Sequence, residues 1–262
     1  MFRRASHSLI VLTLLLAGCG TSVATAPKRV PTNAALLTSQ PQAARPLPAA
    51  GQDQGKGQQL LAKVRQVLTG ATGFSSDVLA KTEGHWKQGD HVDELRHVTM
   101  GYRITWAKPN KFRAIVTEAP TALMKDATLV TTDGKNVTAR AAGLLSILPI
   151  HAQSNDKRIA NARNHTFDKF NPSTQMQRLT GQQAVWTYVD QFVGPGGAPV
   201  VRCAIDGVQR LDAEIDREVI AVDLGTNAVK SLTSFSKGHA VVEYTFSKFL
   251  WNPKVTSDMF QL

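Results

Sequence analysis

The sequence predicts a mainly β protein of the α+β kind, built on an antiparallel sheet that curls or closes. Three observations carry this. Val98, Met100, Tyr102, Ile104 and Trp106 alternate with Thr99, Gly101, Arg103 and Thr105, the period of two that places one set on each face of a strand. Similar short runs recur to the C-terminus, separated by turn signals such as Lys108-Pro109-Asn110, Asp133-Gly134 and Lys237-Gly238. A sustained helical period is confined to 58–69, with a weaker one in 155–170. About nine or more strands in meander order with few helices fit such a sheet.

The elements follow in order. Arg3 and Arg4 precede the apolar run 9–16, which has signal-peptide length and is too short to span a bilayer. The run ends in Leu16-Ala17-Gly18-Cys19, which resembles the bacterial lipobox. That resemblance implies removal of residues 1–18 and acylation of Cys19. One acyl chain anchors weakly, and three hold a protein on a membrane almost permanently. Gly20, rather than Asp, follows the cysteine. The sorting preference of Gram-negative lipoproteins then favours the outer membrane, on the face toward the periplasm.

Residues 19–57 are rich in Ala, Pro, Thr, Ser, Gln and Gly without a period, and read as a disordered tether. A coil of ~37 residues spans roughly 35 Å. The domain is expected over 58–262. Leu60, Leu61, Val64, Val67 and Leu68 recur at helical spacing over 58–69, and Gly70 and Gly73 end that helix. Strands are expected at 98–106, 111–118, 129–132 and 136–140, the last two joined at Asp133-Gly134 by a type I′ turn. Residues 141–181 break the pattern and read as short helices and loops. Within them Leu144, Leu145, Ile147, Leu148 and Ile150 are too crowded for one face of a short helix, so they form a lid or touch a membrane. Strands resume at 182–193, with Trp186, Tyr188 and Phe192 on one face. They continue at 200–205, at 211–224 as a strand or two with a bulge, at 228–236 and at 239–249.

The chain has 262 residues and a net charge of +10. Removing Arg3 and Arg4 leaves +8, which favours anionic lipid surfaces. Nucleic acid is not an expected partner of an exported, acylated chain. There are two cysteines. If Cys19 is acylated, Cys203 has no partner and reads as a buried structural thiol. Asp212, Glu214, Asp216 and Glu218 fall on one face of an extended segment and read as a solvated strand face. His85, His91 and His97 lack metal-ligand spacing. Gly194-Pro195-Gly196-Gly197 does not open a helix and is a loop. No cofactor, metal site or catalytic constellation is indicated, and the chain reads as a binding protein, not an enzyme.

Three stretches carry a family resemblance. Trp106-Ala107-Lys108-Pro109-Asn110-Lys111-Phe112-Arg113, then Thr132-Asp133-Gly134-Lys135, then the end with Tyr244-Thr245-Phe246, Asn252-Pro253 and Phe260, are similar to the LolA/LolB-like superfamily of lipoprotein and lipid carriers. The resemblance implies a half-open antiparallel barrel with an N-terminal helix, and short lid helices over an apolar cavity that takes acyl chains. Val98, Met100, Tyr102, Ile104, Trp106, Phe112, Tyr244 and Phe246 would line it. Leu144, Leu145, Ile147 and Leu148 would form the lid or meet the membrane. A monomeric, membrane-anchored acceptor or carrier is expected, with lipid or lipoprotein acyl chains as ligand and a periplasmic carrier or regulator protein as partner. The alternatives are an envelope-stress sensor on the same fold and a structural lipoprotein with a filled core.

Overall fold

The computed structural model describes residues 52–86, 94–120, 124–141, 149–161, 163 and 165–262. Cys19, the tether before residue 52 and the lid residues Leu144, Leu145, Ile147 and Leu148 lie outside them.

Helix α1 (Gln52–Gly70) comes first. Six strands follow: β1 (Gly73–Trp86), β2 (Glu94–Ala107), β3 (Lys111–Glu118), β4 (Thr128–Thr131), β5 (Asn136–Arg140) and β6 (Ile150–Gln153). Two short helices, α2 (Phe167–Phe170) and α3 (Pro172–Thr180), precede five more strands. These are β7 (Val185–Val193), β8 (Pro199–Asp206), β9 (Arg217–Asp223), β10 (Val229–Ser236) and β11 (His239–Trp251). All eleven form one antiparallel sheet in the order β6-β5-β4-β3-β2-β1-β11-β10-β9-β8-β7. Two meanders are therefore joined where β1 pairs with β11, from Phe74↔Trp251 to Thr82↔Val242. The sheet is open, with β6 and β7 at its edges.

The sheet is strongly curled. Seven strand spacings separate β5 from β9, which is about 34 Å across a flat sheet at ~4.8 Å each. Yet Ala139 of β5 and Ile220 of β9 border one cavity. Register shifts at Ser75/Asp77, Gly101/Tyr102, Tyr188/Asp190 and Ser234/Phe235 supply local twist, as bulges do.

Helix α1 lies against β7. It buries Leu60, Leu61 and Val64 with Trp186, Cys203, Ile205 and Val222. It also begins six residues before the expected start, because Gly55 and Gly57 mask the period. Gly57 has a packing reason: a Cβ there would come within 2.1 Å of the Trp186 carbonyl oxygen. The other half of the core joins Phe74, Met100, Trp106, Phe112, Val137, Ile159 and Phe167.

Several expectations are corrected. Strand β1 occupies residues for which no element was expected, since Ser76, Ala80 and Thr82 on its buried face give no apolar alternation. The Asp133-Gly134 turn is not type I′. Only Gly134 is left-handed (φ 73°), and Asp133 Oδ1 instead accepts from the N–H groups of Lys135 and Asn136 at 2.8 Å each. Those bonds hold its carboxyl down at about 2. The type I′ turn sits at Lys237-Gly238, with φ of 50° and 87°. In β7 the shift at Tyr188/Asp190 breaks the expected face and leaves Phe192 exposed.

The acidic row is not a strand face either. Residues 211–216 form a loop, in which Asp212 and Glu214 bind Arg163 at 2.8 and 2.7 Å. Glu218 begins the buried pattern of β9 and is fully enclosed. Alternation cannot tell a solvated acid from one buried opposite arginines, because the deciding partners Arg163, Arg178 and Arg210 lie elsewhere in sequence.

Candidate functional site: an apolar cavity under helix α3

A cavity of about 240 Å³ lies between the concave face of the sheet and helices α1 and α3. Aromatic and branched side chains make much of its wall, including Phe74, Ile104, Phe112, Phe246, Phe249 and Trp251. Ala80, Ala114, Ala127 and Ala139 lie among them, and their small side chains leave space unfilled. Helix α1 contributes Val64 and Leu68, and α3 contributes Gln175, Met176, Leu179 and Thr180.

Of the cavity residues expected from sequence, Tyr102, Ile104, Phe112, Tyr244 and Phe246 line this space. Val98, Met100 and Trp106 share their face of the sheet but belong to the packed core. Met100 accepts the Tyr102 hydroxyl at 3.1 Å on its sulfur. Trp106 donates its indole N–H to Ser173 Oγ at 2.8 Å. A filled core and a hollow thus share one strand. Burial, with Tyr244 nearby, pushes the Tyr102 hydroxyl pKa up, and burial raises that of Tyr244 too. Both phenols are neutral walls at ordinary pH.

Helix α3 is fixed over the cavity at both ends. At its start Asn171 caps the helix, accepting from Thr174 N–H at 3.0 Å, and the Trp106–Ser173 bond ties it to β2. At its end Arg65 of α1 donates to the Thr180 carbonyl at 2.7 Å, and Trp186 donates to the Leu179 carbonyl at 2.9 Å. Arg178 grips Glu218 through two bonds of 2.6 and 2.8 Å, and Arg210 adds a third at 3.2 Å. Such a two-pronged guanidinium–carboxylate contact fixes orientation as well as position. Sequence reasoning missed α3 as a wall, because Met176 and Leu179 alone do not signal an amphipathic helix.

The remaining chemistry is sparse. Cys203 is fully buried, and burial pushes its thiol up to about 12, which makes it unreactive. Among the described residues no group of His, Cys, Asp and Glu could hold a metal ion, and no helix is long and apolar enough to cross a membrane. What the arrangement can do is enclose an apolar group. About eight water-sized groups fit in 240 Å³ at ~30 Å³ each. That is roughly half of a long acyl chain.

The fold has counterparts among solved structures. An uncharacterized conserved protein from Thermus thermophilus overlaps 79% of this chain and 93% of its own, with a TM-score of 0.47 and 9% identity. A LolA-superfamily protein from Nitrosomonas europaea overlaps 79% of this chain and 97% of its own, with a TM-score of 0.34 and 11% identity. MucB, in the Pseudomonas aeruginosa MucA/MucB complex, matches over 79% of this chain and 61% of its own, with a TM-score of 0.40 and 14% identity. No family model and no curated protein matches the sequence.

Proposed function

We propose that this protein is a lipid-anchored envelope lipoprotein that binds acyl chains of lipids or lipoproteins in its cavity and carries or accepts them. The observation that supports this most is the 240 Å³ cavity, walled by apolar side chains from both meanders of the sheet and from α1 and α3. A hollow of this kind favours an apolar guest without any covalent step. Each buried methylene contributes about 0.8 kcal/mol, so eight of them contribute roughly 6 kcal/mol. Transfer then follows the difference in affinity between this site and a donor or acceptor. A periplasmic protein would deliver or receive the chain. The Leu16-Ala17-Gly18-Cys19 sequence supports anchoring through Cys19, and Gly20 supports the outer membrane.

Native mass spectrometry of the protein purified from its own host tests the reading. We expect a population carrying an acyl lipid that is released by mild unfolding. A ligand-free spectrum, together with no uptake of a fluorescent fatty acid, would overturn it.

A further inference from the structure

Among the described residues the large apolar side chains left exposed are Phe192, Val193, Leu224 and Leu250. All of them stand at one end of the sheet. Val193 closes β7, where it pairs with Pro199 at the start of β8. Leu224 follows the end of β9 and donates its N–H to the Pro199 carbonyl at 2.9 Å. Leu250 lies near the end of β11, opposite Ser75 at the start of β1. The most exposed is Val193, at 75%. Phe74, Phe249 and Trp251 of the cavity wall belong to the same end.

The hairpin between β7 and β8 has the chemistry of a segment that enters a bilayer surface. From Gln191 to Val201 it holds no charged residue. The flanking Asp190 and Arg202 neutralise each other, with Arg202 Nε donating to Asp190 Oδ1 at 2.7 Å. Pro195 and Pro199 have no N–H to withdraw from water. Gly194 N–H donates to the Ala198 carbonyl at 2.8 Å, and Gly197 N–H to the Gly194 carbonyl at 3.1 Å. Seating this tip among lipid headgroups therefore leaves few polar groups unpaired, while its apolar side chains gain by leaving water.

The path of α1 places a membrane near this end. Arg65 donates to the Thr180 carbonyl, ahead of β7. Gly57 lies against Trp186 and Thr187, and the Lys56 ammonium stands 5.0 Å over the Tyr188 ring. Read backward, α1 thus runs along β7 toward the hairpin, and Gln52 lies about 6 Å beyond Lys56. Residues 20–51 join that point to Cys19. A coil of ~32 residues spans roughly 30 Å, which is short of the roughly 45 Å length of strand β1. A membrane that holds Cys19 therefore meets this end of the sheet before the other. We infer that the end bearing the β7–β8 hairpin docks on the lipid surface, with Phe192, Val193 and Leu224 at the boundary of headgroups and acyl chains. The inference rests on anchorage through Cys19 and adds the orientation of the domain. It turns the cavity end at Phe74, Phe249 and Trp251 toward the lipid.

The test uses the full chain, purified from membranes of its host and reconstituted into vesicles of phosphatidylethanolamine and phosphatidylglycerol. Photoreactive p-benzoylphenylalanine replaces Val193, Leu224 or His239. His239 is exposed at the β10–β11 turn, at the opposite end of the sheet. Burying one Val or Leu side chain favours the inserted state by about tenfold, so lipid adducts at 193 and 224 should exceed those at 239 by a similar factor. Val193→Glu should cut the adducts at 224 comparably and leave the circular dichroism spectrum unchanged, because the side chain it replaces stands in solvent. Equal adducts at all sites, on a chain that floats with the vesicles, would overturn the inference and leave anchorage standing. Adducts at 224 that ignore Val193→Glu would also overturn it. So would crosslinking of 193 to a second copy of the chain in place of lipid. A chain that does not float with the vesicles would overturn both the docking and the anchorage.

Discussion

Ile104→Trp distinguishes a hollow sheet from a packed one. Ile104 borders the cavity. Its neighbours across the strands are Ser76 and Ala114, two small residues that leave room beside it. Trp carries about six more non-hydrogen side-chain atoms than Ile, so it would take most of a space for about eight methylenes and remove roughly 4–5 kcal/mol of chain burial. Affinity for a fluorescent fatty acid should then fall by about a thousandfold or more. Stability should change by less than about 1 kcal/mol, because the added atoms enter space that is already open. In a filled core the same substitution overpacks and costs about 1–3 kcal/mol. Fatty-acid titration and urea unfolding on the same preparation measure both quantities. Unchanged binding with a large loss of stability would refute the reasoning.

Three further outcomes follow from the same structure. Glu218→Ala leaves Arg178 and Arg210 facing a fully buried gap and should cost about 3–5 kcal/mol in urea unfolding; a loss below about 1 kcal/mol would show that this pair does not hold α3. For Asp212, burial pulls its pKa upward, but the bonds from His165 and Arg163 outweigh that and leave it below the usual carboxylate value. A depressed folded pKa means stability that is present above the unfolded value of about 3.9 and lost as pH falls below it. Asp212→Asn should therefore lower stability at neutral pH and flatten its decline between pH 5 and pH 2 in ~unit steps of a urea series, and an unchanged acid limb would contradict this. Cys19→Ser should leave an uncleaved precursor that does not label with palmitate, and normal labelling would exclude acylation at that residue.

How far the sequence revealed the fold depends on how local each signal is. The alternation at Val98–Trp106 and the run from Val242 to Phe246 read directly as strands, because large apolar residues repeat at every second position. Strand β1 was not legible in that way. Its inward residues include Ser76, Ala80 and Thr82, and their burial follows from pairing with β2 on one side and β11 on the other. That second pairing, between the first and last strands, is the longest-range contact in the sheet and leaves no local trace. The site divides in the same manner. Tyr102, Ile104, Phe112, Tyr244 and Phe246 were legible from strand alternation and resemblance. The wall supplied by α3 emerges only when distant segments come together.

The hollow also needs an energetic account. An enclosed dry void costs about 24 cal/mol per Å³ relative to close packing, so about 6 kcal/mol is the upper bound for a hollow of 240 Å³ that is partly open to solvent. That is comparable to the whole net stability of an ordinary domain, about 5–15 kcal/mol. A sheet free to close further would therefore gain by doing so. Here α3 prevents it. The Trp106–Ser173 bond holds one end of the helix over β2, and Arg65 together with the Arg178–Glu218 pair holds the other over α1 and β9. These polar ties set the distance between helix and sheet independently of what lies between them. The cost of the open space is then close to what a buried chain segment returns. The protein should accordingly be more stable with its ligand than without, by an amount that grows with ligand concentration over its dissociation constant. A core that had merely packed poorly would lack ties that keep it open.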